Sequence, residues 1–342
     1  MNKNKPLFSI MIPVYNIKNY VDECLKSVLA QTFDDYEVVV IDDGATDGSG
    51  EICDRYSEEN DKIRVIHKKN GGLLAARRTG IAEAKGKIGI FLDGDDYLEP
   101  DCLSSLNEIF SKNPGSDMVI YNFLYSYEKD GSKKPKEPLF SEGRSFTGDE
   151  KRELYDQLIS TYNLNNIWIK AVDMDLLKRD DTDYEPFYSN SFGEDLLQSL
   201  YLVTEAKKII YTGKTLYNYR INAGSMTAMV NFAALDKQNH MKVFYVLKEY
   251  MKKWNMDNRL YMDKLYGRRY THLAISFWKY FPKMTDSAEK TKLVKTFNGY
   301  FDKMKENSYI RNRNISFIRK VTIFLVKNKL MSGIELLAHM KR

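Results

Sequence analysis

Between Phe8 and Phe91 the chain repeats one pattern: a short apolar run, polar or acidic residues at its end, then residues at helical spacing. Phe8–Val14, Tyr36–Ile41, Ile63–His67 and the run from Gly86 to Phe91 read as strands. Val21, Cys24, Leu25, Val28 and Leu29 recur on one helical face, and Glu51–Asn60 and Leu73–Ala84 read as further helices. Strands alternating with helices build a parallel sheet through right-handed crossovers, so an α/β fold is expected. Tyr15-Asn16, the stretch from Asp42 to Ser49 and Asp93-Gly94-Asp95-Asp96 then fall at the carboxyl ends of strands, the edge where open sheets of this kind bind ligands.

The Asp93-Gly94-Asp95-Asp96 cluster crowds like charges after the buried run Phe91-Leu92. A divalent cation relieves that repulsion. Mg2+ and Mn2+ favour carboxylate oxygens and share them with substrate phosphates. A solvated acidic turn is the plainer reading, and the strand in front argues against it. Neither GxGxxG after the first strand nor GxxxxGK[ST] anywhere is present, which disfavours a dinucleotide-binding dehydrogenase and a P-loop nucleotidase.

At 342 residues, 43% hydrophobic and 29% charged, the composition is that of a globular chain with a full core. No run of eighteen apolar residues occurs, and Leu7–Val14 reads as a first strand rather than a signal peptide. Cys24, Cys53 and Cys102 are far apart, which suits a reducing cytoplasm. His67, His240, His272 and His339 stand singly, without metal-ligand spacing. From Asp302 onward ten basic residues face three acidic ones, so this tail carries +7 of a net +5 and the rest is near −2. Positive charge confined to a tail, without base-stacking motifs, argues against nucleic acid as a partner.

Residues 128–150 are polar and read as a loop or hairpin, Leu154–Ile169 as helical and then apolar, and Phe187–Phe192 as an aromatic, polar lead-in. A helix is expected to begin at or just after Gly193-Glu194-Asp195, where an ordinary helix cap is the plain reading. Ile209–Tyr211 reads as a strand, with Tyr217–Arg220 after it and helical text from Phe232 on.

The blocks Ser9–Asn16, Gln31-Thr32, Val40–Ser49, Asn70-Gly71-Gly72, Ala76-Arg77 and Phe91–Asp96 resemble, in order, the inverting glycosyltransferases of family 2, with the GT-A fold. The likeness returns at Ile167–Lys170, Gly193-Glu194-Asp195, Leu216–Arg220 and Ser225-Met226. The resemblance implies an α/β GT-A fold with a mainly parallel sheet over residues 1–228, divided into a nucleotide-binding half (1–120) and an acceptor-binding half (121–228). A helical region, 229–342, follows. It implies transfer of a sugar from a nucleotide-diphosphate sugar, commonly a UDP-sugar, to a hydroxyl with inversion. Pro13, Tyr15 and Asp43 would line the base pocket, with Arg77 near the nucleotide. Asp93 and Asp95 would hold the ribose and the Mn2+ or Mg2+, with Asp96 beside them as a further metal residue. Asp195 aligns with the family's base, and Glu194 is the reserve. Arg220 is a candidate diphosphate contact, against a surface arginine. Where the family usually has Asn after the arginine of this helix, this chain has Arg78.

Ile315–Leu330 is apolar with Arg319, Lys320, Lys327 and Lys329 interleaved, suited to a helix lying in a bilayer interface or packed on the preceding helices. Relatives of this kind commonly extend sugar chains on polyprenyl-diphosphate carriers. The expectation is a cytoplasmic enzyme, peripheral on the inner membrane face, acting on a saccharide acceptor in capsular or other surface polysaccharide synthesis. The alternative is a catalytically inactive sugar-nucleotide-binding or scaffold partner of another transferase, which would be expected to have lost one of the three acidic clusters.

Overall fold

The structure is a computed structural model that describes residues 5–188, 193–221 and 240–340. Phe192, Ser225-Met226, the expected boundary at 228, Phe232 and the terminal Lys341-Arg342 lie outside the described residues. The described chain forms two compact units: residues up to Leu154 with those from Asn163 to Ile221, and Tyr155–Tyr162 with the helices from His240 on.

The first unit is built on a ten-stranded mixed sheet. Its first half is β1 (Phe8–Val14), α1 (Val21–Leu29), β2 (Tyr36–Asp42), α2 (Ser49–Glu59), β3 (Ile63–His67), α3 (Leu73–Glu83) and β4 (Ile88–Phe91). Every residue of β1 is buried, as expected of a strand covered on both faces. α1 buries Val21, Cys24, Leu25 and Val28, the stripe its periodicity marks. β1 pairs in parallel with β2 on one side and with β4 on the other, while β3 extends β2. The order β3-β2-β1-β4 therefore reverses direction between β1 and β4, and ligand crevices open at such a switch point.

The second half adds β5 (Tyr97–Leu98), α4 (Cys102–Lys112), β6 (Met118–Tyr127), β7 (Lys133–Pro135), β8 (Ser145–Thr147), the start of α5 (Arg152–Ser160, which belongs to the second unit from Tyr155 on), β9 (Lys170–Asp173), α6 (Met174–Lys178), α7 (Glu194–Glu205) and β10 (Lys208–Ile221). β9 runs antiparallel between β4 and β6 and joins the two halves of the sheet. β10 lies parallel to β6. Ile209–Tyr211 and Tyr217–Arg220, expected as a strand with a following segment, are one strand; its register against β6 shifts between Tyr211 and Tyr217, which hides the continuity from a period-2 reading.

The second unit carries α8 (His240–Lys253), α9 (Arg259–Tyr280), α10 (Ser287–Asp302), α11 (Phe317–Lys327) and α12 (Met331–Met340). Phe277, Phe297, Phe301, Ile323 and Val326 are fully buried. α11 packs through Thr322, Ile323 and Val326. Trp278 Nε1 donates to Thr322 Oγ1 (2.9 Å), and Asn298 Nδ2 to the Lys327 carbonyl (2.7 Å). Phe317 and Phe324 stay exposed. Among the described residues no helix is long and apolar enough to cross a membrane.

Candidate active site

A cavity of about 550 Å³ opens at the carboxyl ends of β1, β2 and β4 and runs toward β6 and β10. Of the expected site residues, Pro13, Tyr15, Asp43, Arg77, Asp93, Asp95, Asp96, Glu194 and Asp195 all border it. The two acidic segments, a hundred residues apart, meet through one side chain. Arg77 on α3 donates from Nη2 to Asp93 Oδ1 (2.8 Å) and from Nη1 to Asp195 Oδ1 (2.5 Å). It is 1% exposed. Burial opposes its charge, but Asp93 and Asp195 more than offset this and raise its pKa.

Glu194 and Asp195 occupy the first turn of α7, entered through Gly193. Burial raises the pKa of both carboxyls, and the charge of Asp195 adds to the effect on Glu194, which is pushed up to about 7; Arg77 pulls Asp195 back down. Glu194 Oε2 is buried without a hydrogen-bond partner, and among the described residues nothing donates to Asp195 Oδ2. Such unsatisfied oxygens in a native cavity are groups left open for a ligand or a proton. Lys170, fully buried, donates to the carbonyls of Leu164 (2.8 Å) and Asn166 (2.5 Å), and burial lowers its pKa to about 7 against the pull of Asp195.

The acidic loop after β4 divides its carboxylates by role. Asp96 is buried, and its oxygens already accept from Tyr217 Oη (2.6 Å) and the Arg220 amide (2.7 Å). Asp95 receives no bond from another side chain among the described residues, and burial with Asp93 nearby raises it to about 6. Gly94 allows close packing of the acidic loop: a Cβ there would press on the Ile17 side chain and come within 3.0 Å of the Pro13 carbonyl oxygen. No group of three metal-ligating side chains occurs among the described residues. The donor set nonetheless fits a hard cation that shares one or two carboxylates with substrate phosphates, since Asp95 and the second oxygen of Asp93 are open at the cavity wall while those of Asp96 are taken.

Asp43 holds the turn before α3. Its oxygens accept from Gly71 N (2.9 Å), Gly72 N (2.8 Å) and Lys68 Nζ (2.6 Å). Tyr15 is half exposed at the rim. Arg220 does not border the cavity: Nε donates to the Asp95 carbonyl (2.8 Å) and Nη2 to Glu23 (2.6 Å), so it braces the acidic loop from outside. Arg78 turns away to Asp180, reaching its carbonyl at 2.8 Å. Residue patterns did not single out the aromatic wall of Phe123, Tyr125, Trp168 and Tyr219; the signal was the odd–even spacing of Phe123 with Tyr125 and of Tyr217 with Tyr219, which puts each pair on one face of its strand.

The sequence pattern of a family described as Glycosyl transferase family 2 matches residues 9–180. EpsJ of Bacillus subtilis, an uncharacterized glycosyltransferase, is 32% identical over 71% of this chain and 69% of its own length. The glycosyltransferase GlyG of Streptococcus pneumoniae is 30% identical over 64% of this chain and 72% of its own. GlyA of the same organism is 33% identical over 64% of this chain, but the matched stretch spans only 31% of GlyA. In fold, S. aureus TarS 1–349 in complex with UDP-GlcNAc superposes with a TM-score of 0.68 over 98% of this chain and 91% of its own, at 19% identity. The chain belongs to glycosyl transferase family 2 and carries its α/β GT-A fold, with a helical C-terminal region.

Proposed function

We propose that the chain is an inverting glycosyltransferase that moves a sugar from a nucleotide-diphosphate sugar, a UDP-sugar, to a hydroxyl of a saccharide acceptor in surface polysaccharide synthesis. The observation that carries this reading is Arg77, which ties Asp93 of the acidic loop to Asp195 at the start of α7 within one cavity. The TarS complex with UDP-GlcNAc supports a nucleotide-sugar donor. So does the position of the acids at a switch point of the sheet.

In direct displacement the acceptor oxygen attacks the anomeric carbon as the bond to the diphosphate breaks on the opposite face, so configuration inverts. The acceptor proton passes to a carboxylate, for which Asp195 Oδ2 is the first candidate and Glu194 the reserve. Arg77 orients Asp195 and keeps it near Asp93. Pro13, Tyr15 and Asp43 stand at the β1–β2 end, where the base would lie. A Mg2+ or Mn2+ ion held by Asp95 and Asp93 would neutralise charge on the departing diphosphate.

The membrane reading rests on α11 and α12, where Phe317 (81% exposed), Phe324, Leu336 and Met340 face outward among exposed Arg311, Arg313 and Lys329. On this reading the enzyme is peripheral on the inner face of the membrane and its acceptor is lipid-linked. A panel of UDP-sugars and other nucleotide sugars, read by release of the nucleoside diphosphate with and without Mn2+, tests the catalytic reading. Binding of a nucleotide sugar with no release and no transfer would instead make the chain an inactive partner of another transferase.

A further inference from the structure

Two strands, β4 and β9, lie between β1 and β6 at the two ends of the cavity, and β10 lies one strand further. Pro13 and Tyr15 follow β1; in the order β1-β4-β9-β6-β10 the rings of Phe123 and Tyr125 stand on β6 and that of Tyr219 on β10. At the usual spacing between strands, β1 and β6 lie about 14 Å apart. The acids of β4 sit between, so a donor anchored at β1 with its diphosphate at Asp93 and Asp95 leaves the β6–β10 end open.

That end is an organised aromatic surface. Register pairs Tyr217 with Phe123 and Tyr219 with Tyr125 across β6 and β10. Trp168 lies flat against Tyr217 (4.5 Å, 20°) and Tyr219 (5.4 Å, 4°), with Phe123 edge-on to it (4.8 Å, 82°). Phe123, Trp168 and Tyr217 are buried and act as support, whereas Tyr125 and Tyr219 are only half-buried and border the cavity. The Tyr125 ring is held edge-on by Phe123 (5.0 Å, 72°) and Tyr219 (6.3 Å, 79°), yet its hydroxyl makes no hydrogen bond among the described residues. Charge is as one-sided as shape: the described lining residues include six carboxylates and one cation, Arg77, whose Nη1 and Nη2 are bound to Asp195 and Asp93.

We infer that the Tyr125–Tyr219 face is the acceptor subsite and that it takes an uncharged pyranose. The inference rests on the transferase reading above and adds the class of acceptor. The C–H face of a pyranose carries partial positive charge and stacks on the negative face of an aromatic ring. The free Tyr125 hydroxyl and the Asn166 side chain, also in the lining, supply hydrogen bonds to sugar hydroxyls. A phosphorylated polyol or a uronic acid would add negative charge to a cavity whose described lining already holds six carboxylates against one cation, Arg77, which is bound to two of them.

The test uses the full chain, with methyl glycosides of glucose, galactose and N-acetylglucosamine as neutral probes and glycerol phosphate and methyl glucuronide as anionic ones. Binding is followed by saturation-transfer NMR, and UDP affinity by calorimetry. Tyr125→Ala is expected to weaken the best neutral glycoside about tenfold, while Tyr125→Phe, which keeps the ring, loses no more than about threefold, and UDP affinity stays the same in both. Tyr219→Leu is expected to act like Tyr125→Ala. The inference is overturned if Tyr125→Ala binds neutral glycosides as well as wild type, if anionic probes bind better than neutral ones, or if UDP affinity falls in step. If wild type releases no nucleoside diphosphate from any donor, the transferase reading fails, and the subsite then stands or falls on the glycoside binding alone.

Discussion

Arg77 shows how one buried cation arranges two acids that the chain places far apart. Because its Nη2 holds Asp93 and its Nη1 holds Asp195, removing either carboxylate leaves a buried charge half satisfied. Asp195→Asn is expected to lower kcat by about 10²–10⁴ with UDP affinity nearly unchanged, measured by steady-state kinetics and calorimetry. A base works deprotonated, so the rate rises with pH through its pKa. Glu194 at about 7 gives the discriminating outcome: an ascending limb near that pH, lost in Glu194→Gln while Asp195→Asn remains active, would move the base to Glu194. A second titration is independent of catalysis. The bond from His67 Nδ1 to Asp42 (2.8 Å) raises the pKa of His67 above 6.5, and Asp54 adds to this against a smaller loss from burial. A raised histidine pKa stabilises the fold fully below the unfolded value of about 6.5, and this contribution is lost as pH rises through the folded value. The advantage in Tm of wild type over His67→Gln should therefore shrink as pH rises above 6.5, and the half-exposed ring keeps the effect small. A difference that grows with pH would contradict this.

At the scale of elements, the turn into α3 and the strand β10 decide where the acids sit. Gly72 precedes α3 at φ 88°, and a Cβ there would come within 2.6 Å of the Tyr188 carbonyl oxygen. The Gly72 amide is also one of the donors to Asp43. β10 reaches the acidic loop through Tyr217, whose hydroxyl donates to Asp96 and accepts from the Asp93 amide (3.2 Å). Tyr217→Phe removes a donor from a buried carboxylate while keeping the ring against Trp168. The expected cost is about 1–3 kcal/mol in urea unfolding, with donor KM rising because Asp93 loses its support. Unchanged stability and KM would show that the hydroxyl is dispensable.

At the scale of the whole molecule the tail sets a constraint of its own. Ile315, Ile323, Val326 and Ile334 are buried, so deleting residues 311–342 would open the core of the helical unit as well as remove a surface. Point changes separate the two. Phe317→Ser with Phe324→Ser, or Arg311→Glu with Arg313→Glu, should leave Tm nearly unchanged and release the protein from phosphatidylserine vesicles. Each basic residue near such a surface contributes about 1 kcal/mol, so binding should also fall as salt rises. If wild type ignores these vesicles at low salt, the exposed face of α11 is not a membrane surface.

Periodicity alone marked β1, α1 and β3 at their observed ends, because local burial follows the apolar spacing: β1 is buried throughout, α1 buries one stripe, and β3 grades from buried Ile63 to exposed His67. It also put the acids of β2 and β4 at strand ends, since a buried run that stops at a carboxylate has one place to stop. The spacing of residues along the chain did not show that Arg77 spans Asp93 and Asp195, that Asp96 is committed to Tyr217 and Arg220, or that Arg220 lies behind the acidic loop instead of in the cavity. Nor did it show the aromatic wall, which needs β9 to run antiparallel between β4 and β6 and β10 to align with β6. Local pattern records which side of an element is buried. Which buried sides meet, and which charged groups then lose water together, depends on strand order and register, and these arise only when the whole sheet assembles.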